Sequence, residues 1–534
     1  MFFFLVIAVL VGGFGQQADA AVAVLDYSEK FQTIEGFGGG MSFHIYPYNH
    51  PRKEAMYDSI FNRAKINVIR VGNWYDPRQD TPDVEIPMMK EIQQRWPEVK
   101  TILASWSPPP YLKSNNSLAG FDGISDTGTL RKKPDSTYMY KEYADYWLKS
   151  ARHFTDSGMK VDWISIQNEP DWPAGHEGCV LEGRETPTIA SYGKAHTAVY
   201  NLLKDSLDTM IPMIGPDVAG IYLDRVTRFI TSPETNLSEM TAYCHHLYDH
   251  PGVDWFVETR AHVTGKPIYQ TEFLINEGKQ HGDKILTWLD HAWFIHQSLA
   301  VEGVSMYCLF ALAYKPASTH CFFSMDTLGG DWYETRNAYY MFKQFSANIR
   351  RGWKRILAEC DDQWILTSAY CDADNDSTAL IFINQSTSAK SVYIEFAGKR
   401  ADVIQTSDIR KYAYTDSHYN RGNILLDPLS VTTVNLHNDS TVTRAVTSRQ
   451  VSRTGSSLRI AATESRPVVT VSAPKGKYTL SLFDCRGNRI MSRPVYQSAP
   501  QTVHLFNRRL TPGSYFVTLS DGRITASAKT AVIH

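Results

Sequence analysis

Asp162-Trp-Ile-Ser-Ile-Gln-Asn-Glu-Pro170 is the stretch that decides the fold. Trp163, Ile164 and Ile166 form a short run of aromatic and β-branched residues, the composition of a strand buried in a parallel sheet. Proline cannot donate to a ladder, so the strand stops at Asn168-Glu169-Pro170. Glu169 then stands where a strand opens into a loop, the edge at which parallel α/β folds place their chemistry.

On both sides of this strand, segments of helical and strand periodicity alternate, the pattern of a parallel sheet wrapped by helices. Upstream lie strands over residues 66–71 and 101–106 and helices over 86–96 and 138–157, with Gly158 as the C-cap of the latter. Downstream come a helix over 189–207, strands over 210–215, 240–246, 266–271 and 304–310, and helices over 285–301 and 337–349. Ile34-Glu-Gly-Phe-Gly-Gly-Gly40 adds one more strand. Its glycines match no phosphate-loop or dinucleotide fingerprint and fit a close backbone approach. Eight βα units over about 300 residues predict an α/β fold, a (β/α)8 TIM barrel over residues 34–345. A doubly wound sheet would need a nucleotide fingerprint or a switch-point crevice, and neither is present.

Short alternating runs over 365–370, 378–384, 391–396 and 430–436 predict an antiparallel β-domain at 346–437, with residues 21–33 contributing a strand. Residues 438–460 have a Ser/Thr/Arg-rich linker composition, and 461–534 read as a small C-terminal β-sandwich module. The apolar start followed by Ala18-Asp19-Ala20 predicts a signal peptide over 1–20, too short to span a bilayer comfortably. Seven scattered cysteines, with no CxxC spacing, form neither a disulfide scaffold nor a zinc ribbon. Cys360 and Cys371 are the one candidate bridge, and buried free thiols are the simpler expectation. A net charge of −2 argues against nucleic acid or an anionic membrane as partner.

A second carboxylate, Glu272 in Tyr269-Gln-Thr-Glu-Phe273, closes the seventh barrel strand as Glu169 closes the fourth. Two carboxylates facing each other across a barrel rim are what glycosidic hydrolysis needs: one protonates the leaving oxygen, the other attacks or activates water. Taken alone, either glutamate has a plain alternative as a loop carboxylate paired with an arginine. The adjacent His245 and His246 tempt one toward a metal, but neighbours on a strand point to opposite faces, so no metal and no cofactor are expected.

Asn168-Glu169-Pro170 and Thr271-Glu272-Phe273 resemble the corresponding motifs of clan A glycoside hydrolases. Ile34-Glu-Gly-Phe-Gly-Gly39, Ala104-Ser-Trp-Ser-Pro-Pro-Pro-Tyr-Leu-Lys113 and Ile164-Ser-Ile-Gln-Asn-Glu-Pro-Asp171 narrow the resemblance to glycoside hydrolase family thirty. That family includes glucuronoxylanases, endo-β-1,6-galactanases and glucosylceramidases. The resemblance extends to about residue 437 and implies a retaining mechanism, with Glu169 as acid/base, of raised pKa, and Glu272 as nucleophile, of low pKa. It also implies that Arg70 keeps Glu272 ionised, Asn168 binds the sugar 2-hydroxyl and Tyr248 donates to the nucleophile. His246 is either a polar rim contact or a structural histidine. Trp106 is the expected floor of the subsite at the cut. Trp74, Trp172 and Tyr314 are candidate platforms, each with a core role as the alternative.

Residues 106–113 and 168–172 look most like the xylan-cleaving branch. The glucuronoxylan-specific members hold the uronic acid with an arginine in the loop after strand eight. Here that loop reads Ala313-Tyr-Lys-Pro-Ala-Ser-Thr-His320, with Lys315 and no arginine. Lysine lacks the bidentate fork for a carboxylate. The resemblance therefore does not carry over a dependence on glucuronic acid side groups, and the expected activity is endo-hydrolysis of β-1,4-xylan or glucuronoxylan. Endo-β-1,6-galactanase, β-1,6-glucanase or glucosylceramidase-like action, or non-catalytic polysaccharide binding, are the alternatives. Leu480-Ser-Leu-Phe-Asp-Cys-Arg-Gly487 and Leu510-Thr-Pro-Gly-Ser-Tyr-Phe-Val517 resemble a type nine secretion sorting domain, with a small carbohydrate-binding sandwich as the alternative. The resemblance implies a secreted or cell-surface monomer that meets polysaccharide outside the cell and the secretion machinery on the way.

Overall fold

The computed structural model describes residues 20–438, apart from 42–45, 80–83, 122–126 and 276–283, and the strands lying between 457 and 532. The expected export segment, most of the linker and residues Cys485-Arg486-Gly487 of the second resemblance fall outside the described residues. Among the described residues no helix is long and apolar enough to cross a membrane.

The first strand, β1 (Ala21–Thr33), belongs to the second domain and leads into the barrel. The barrel is closed by eight parallel strands: β2 (Gly36–Gly40), β3 (Val68–Gly72), β4 (Lys100–Ala104), β5 (Trp163–Ser165), β6 (Met213–Val218), β7 (Ala242–His246), β8 (Ile268–Glu272) and β9 (Met306–Leu309). β2 consists almost wholly of glycine because its neighbours crowd it. A Cβ at Gly38 would stand 2.3 Å from the Val68 carbonyl oxygen, and one at Gly40 would stand 2.2 Å from that of Phe310. The glycine run is therefore a close-approach strand. Amphipathic helices cover the outside. Tyr140–Asp156, for example, buries Tyr143, Tyr146, Trp147 and Phe154, and ends ahead of Gly158 at φ +86°, a conformation that favours glycine. The helix expected over 285–301 is α-helical over Ile285–His296 and continues as a wider turn over Gln297–Glu302.

Inside the barrel one cluster packs Val68, Ile102, Trp163, Ile214, Ala242, Cys244, Tyr269, Met306 and Cys308. These plug the lower barrel, so polar chemistry is confined to the C-terminal rim. Beyond β9, the short strands β10 (Ala313–Tyr314), β11 (Phe323–Met325) and β12 (Tyr333–Thr335) form a small sheet.

The second domain is a sheet of β13 (Lys354–Cys360), β14 (Ile365–Cys371), β15 (Ser377–Asn384), β16 (Lys390–Thr406), β17 (Ala413–Leu426), β18 (Ser430–Asn438) and β1. All pairings are antiparallel except β1 with β16, where Ala21 meets Val392. The expected alternating runs are four of these strands. β13 and β17 are additional, and β16 is much longer than its apolar part. Cys360 and Cys371 are free thiols at different heights, since Cys371 pairs with Lys354 and Cys360 with Ala23. Between Ser457 and Val532, seven further strands form a three-stranded and a four-stranded antiparallel sheet.

Candidate active site

Strand alternation predicts which residues reach the rim. Two positions above Val68 on β3 stands Arg70, and two above Cys244 on β7 stands His246, both inward. His245 points the other way and pairs with Glu302 outside the barrel at 2.7 Å, as the strand period requires. Two register slips alter the pattern. β6 advances from Pro216 to Val218 while β7 advances from Cys244 to His245, which makes Asp217 an extra residue, at φ +62°. β8 advances from Gln270 to Glu272 while β7 goes from His245 to His246, which makes Thr271 extra. Such bulges re-aim side chains: Asp217 is turned into the interior, where the Thr271 hydroxyl donates to it, and Glu272, the residue after Thr271, is turned toward the rim cavity.

Glu272, 4% exposed, ends β8. Arg70 Nη1 donates to its Oε2 at 2.5 Å, and the Tyr248 hydroxyl donates to its Oε1 at 2.7 Å. Arg70 Nη2 donates to Asn168 Oδ1 at 2.7 Å and to Asp217 Oδ2 at 2.8 Å. With Oδ1 engaged, the Asn168 amide has its NH2 to offer a sugar hydroxyl. The Arg70 guanidinium lies 4.5 Å from the Trp106 ring centre, and Trp74 stacks on Trp106 at 5.3 Å.

Glu169 projects from beyond β5 with φ +45°, a conformation costing about 1–3 kcal/mol for a non-glycine residue unless its surroundings impose it. They do: its N–H donates to the Asp217 carbonyl at 2.9 Å, while Asn168 N–H donates to the Ser105 carbonyl at 2.7 Å. Glu169 Oε1 lies 2.9 Å from His246 Nδ1, and His246 Nε2 lies 3.4 Å from Asp217 Oδ1.

The electrostatics follow from this packing. Burial opposes charge on His246, but Glu272, Asp217 and Glu169 outweigh it and raise the imidazolium to about 10. Burial also opposes charge on Asp217. Arg70, His246 and the Thr271 hydroxyl overcome it and hold that carboxyl well below the usual carboxylate range. Glu272 departs from the expected low value: burial, reinforced by Glu169, raises its carboxyl despite His246, Arg70 and Tyr248. Carboxylate or ring atoms of Glu169, His246 and Glu272 lie within 4.8 Å of one another, a spacing that could also hold a cation. With Nδ1 2.9 Å from Glu169 and Nε2 3.4 Å from Asp217, the His246 ring is placed to share protons among these carboxylates.

These groups open into a cavity of about 600 Å3 lined by Trp106, Asn168, Glu169, Trp172, Tyr248, Glu272 and Tyr314 among others. Trp172 is 48% exposed on its rim. Trp74 is not among the lining residues and backs Trp106 instead of forming a platform of its own. Arg70 and His246 lie beneath the lining, fully buried. Asp217 went unrecognised in the sequence because the strand was expected to end at Gly215. A carboxylate directly after Gly215-Pro216 was the available signal, the same strand-end logic that exposes Glu169.

A closed parallel barrel carrying two nearby carboxylates at its C-terminal rim is the arrangement that a glycoside hydrolase requires. Consistent with that class, residues 64–179 match the model of the glycosyl hydrolase family 30 TIM-barrel domain. An endo-1,6-β-D-glucanase of Neurospora crassa is 24% identical over 433 residues, covering 70% of this chain and 83% of that protein. A second endo-1,6-β-D-glucanase, from Aspergillus fumigatus, is 27% identical over 192 residues, covering 34% of this chain and only 36% of its own length. Among solved structures, a glycoside hydrolase family 30 subfamily 8 xylanase from Clostridium acetobutylicum aligns with a TM-score of 0.61 at 22% identity, covering 78% of this chain and 99% of that one.

Proposed function

We propose that the chain is a retaining endo-β-glycosidase acting on a neutral β-linked polysaccharide by double displacement. The observation that carries this reading is the closeness of Glu169 and Glu272, whose carboxylate oxygens come within 4.8 Å. Retaining pairs sit about 5–5.5 Å apart, whereas inverting pairs need about 6.5–9.5 Å to admit a water. Glu272, held by Arg70 and Tyr248, attacks the anomeric carbon while Glu169 protonates the leaving oxygen. Glu169 then takes a proton from the water that releases the sugar. Asn168, fixed by Arg70, donates to the 2-hydroxyl, and Trp106 floors the subsite.

For the substrate, β-1,4-xylan is the first reading, from the motifs around Trp106 and Asn168. The arginine that lines the cavity among the described residues, Arg225, is paired with Asp171 at 3.0 Å, and Lys315 lies over the Tyr314 ring. Neither arrangement presents a fork to a uronic acid, which supports cleavage without dependence on glucuronic side groups. β-1,6-Glucan is the second reading, favoured by the long alignment to the Neurospora enzyme. Export through the N-terminal segment and the C-terminal module completes the proposal.

The test is product analysis on xylan, glucuronoxylan, β-1,6-glucan and β-1,6-galactan, with anomeric configuration followed by NMR. Oligosaccharides released with retained β-configuration, and lost in Glu169→Gln and Glu272→Gln, are expected. Inverted product, or activity surviving in either variant, overturns the reading.

A further inference from the structure

Asp217 is fully buried in the barrel and makes more polar contacts than either catalytic glutamate. Its Oδ2 accepts from Arg70 Nη2 at 2.8 Å and from the Ser165 hydroxyl at 2.7 Å. Its Oδ1 accepts from the Thr271 hydroxyl and faces His246 Nε2 at 3.4 Å. Its backbone carbonyl takes the N–H of Glu169 at 2.9 Å. Through a single residue, then, β3, β7, β8 and the turn carrying Glu169 are tied together. The residue is available only because the register slip at Pro216–Val218 turns it inward.

The two cations that Asp217 contacts each serve a different catalytic carboxylate: Arg70 binds Glu272, and His246 binds Glu169. Counting charges, Arg70 and His246 supply two positive charges, and Asp217 and Glu272 two negative ones. The cluster is neutral when Glu169 holds its proton, the form in which it acts as acid. The other groups facing this cluster leave the count unchanged. Asp171, next to Glu169, is paired with Arg225. The Tyr248 and Tyr192 phenols and the Cys244 and Cys308 thiols are pushed up by burial and stay neutral.

We propose that Asp217 is a positioning residue of the reaction, the shared counter-ion that aims Arg70 at Glu272 and His246 at Glu169 and balances the cluster while Glu169 carries its proton. The role rests on the double-displacement reading given above. Without the Asp217 charge, the two cations outnumber Glu272 alone, so both remaining carboxylates are driven toward their ionised forms. Activity then loses its acid at lower pH and keeps its nucleophile to lower pH.

The experiment is Asp217→Asn, nearly isosteric, with kcat/KM followed against pH on whichever glycan the wild type cleaves. We expect a loss on the order of 100-fold, with both limbs of the bell displaced to lower pH by about one unit. A lower but undisplaced bell would show a purely structural role and overturn the proposal. In parallel, 15N-histidine NMR on the full chain reads His246 directly, assigned by its loss in His246→Gln. Protonation of both ring nitrogens at pH 7.5 in the wild type is expected, and a neutral ring there refutes a shared counter-ion. A neutral ring overturns the proposal even if Asp217→Asn does not fold. If no glycan is cleaved, the double-displacement reading fails, while the state of His246 still tests the role of Asp217.

Discussion

Removing the charge of Arg70 tests the buried network most severely. Arg70 is 1% exposed and binds three acceptors, two of them the carboxylates Glu272 and Asp217. Arg70→Met leaves two buried carboxylates, of which Asp217 keeps a cation, His246, in direct contact and Glu272 keeps only the Tyr248 hydroxyl. Breaking a buried pair from one side costs about 3–5 kcal/mol, because the partner charge stays buried and uncompensated. Arg70→Lys restores the charge but not the fork. A compact ammonium reaches one or two of the three acceptors, and each charged hydrogen bond lost is worth about 1.5–3 kcal/mol. The expected order of stability at pH 7 is wild type, then Lys, then Met, measured by denaturant unfolding with tryptophan emission. The sign of the pH dependence is also set. The depressed Asp217 carboxyl stabilises the wild type above its unfolded value of about 3.9, and that stability is lost as pH falls below it. In Arg70→Met the same carboxyls take up protons readily, so the gap between variant and wild type narrows from pH 7 toward pH 4. A Met variant within about 0.5 kcal/mol of wild type at pH 7, well below that cost, refutes the reasoning, as does a gap that widens in acid.

Three further outcomes follow from the same structure. His246, raised to about 10, stabilises the fold fully below its unfolded value of about 6.5 and loses that contribution progressively as pH rises from there through 10, so the stability gap to His246→Gln should shrink steadily from about pH 6.5 to pH 10 in thermal melts. His291 and His296 are buried, and their rings are pushed down to about 3 and about 4. Each should cost the fold about 1.4 kcal/mol per pH unit below 6.5, and His291→Phe should flatten that acid slope in unfolding titrations. Trp172→Ala should raise KM about two- to twelvefold, from loss of a stacking surface worth about 0.5–1.5 kcal/mol, with an unchanged melting temperature because the ring is already half exposed.

The barrel strands were readable because strands buried on both faces must be apolar, as in Trp163-Ile164 and Ile268-Tyr269. Glu169 and Glu272 were readable because a carboxylate directly after such a run has few other reasons to be there. What escaped had a physical disguise. β17 is the edge strand of its sheet and can be polar, as Thr415-Asp-Ser-His-Tyr-Asn-Arg421 is, so no alternation marks it. β13 alternates poorly because its Lys354 and half-buried tail face solvent. Asp217 depends on a one-residue slip between neighbouring strands, a property of two segments together that neither shows alone. The unexpected rise of Glu272 is likewise collective: the sequence indicates its cation, but only the fold shows how completely water is removed from it.

The placement of β1 governs the order in which this chain can mature. Ala21 and Ala23 lie against Val392 and Cys360, so these residues find their partners only after the whole barrel has been synthesised. During vectorial synthesis β1 must wait, unpaired, while some 300 residues between it and β13 emerge. A truncation starting at Ile34 would spare every rim residue yet uncover the β13 edge and the side of β16, creating sticky seams for intermolecular pairing. Strand β1 is thus the clasp of the second domain, and the covering of its sheet edges depends on a segment far from the chemistry.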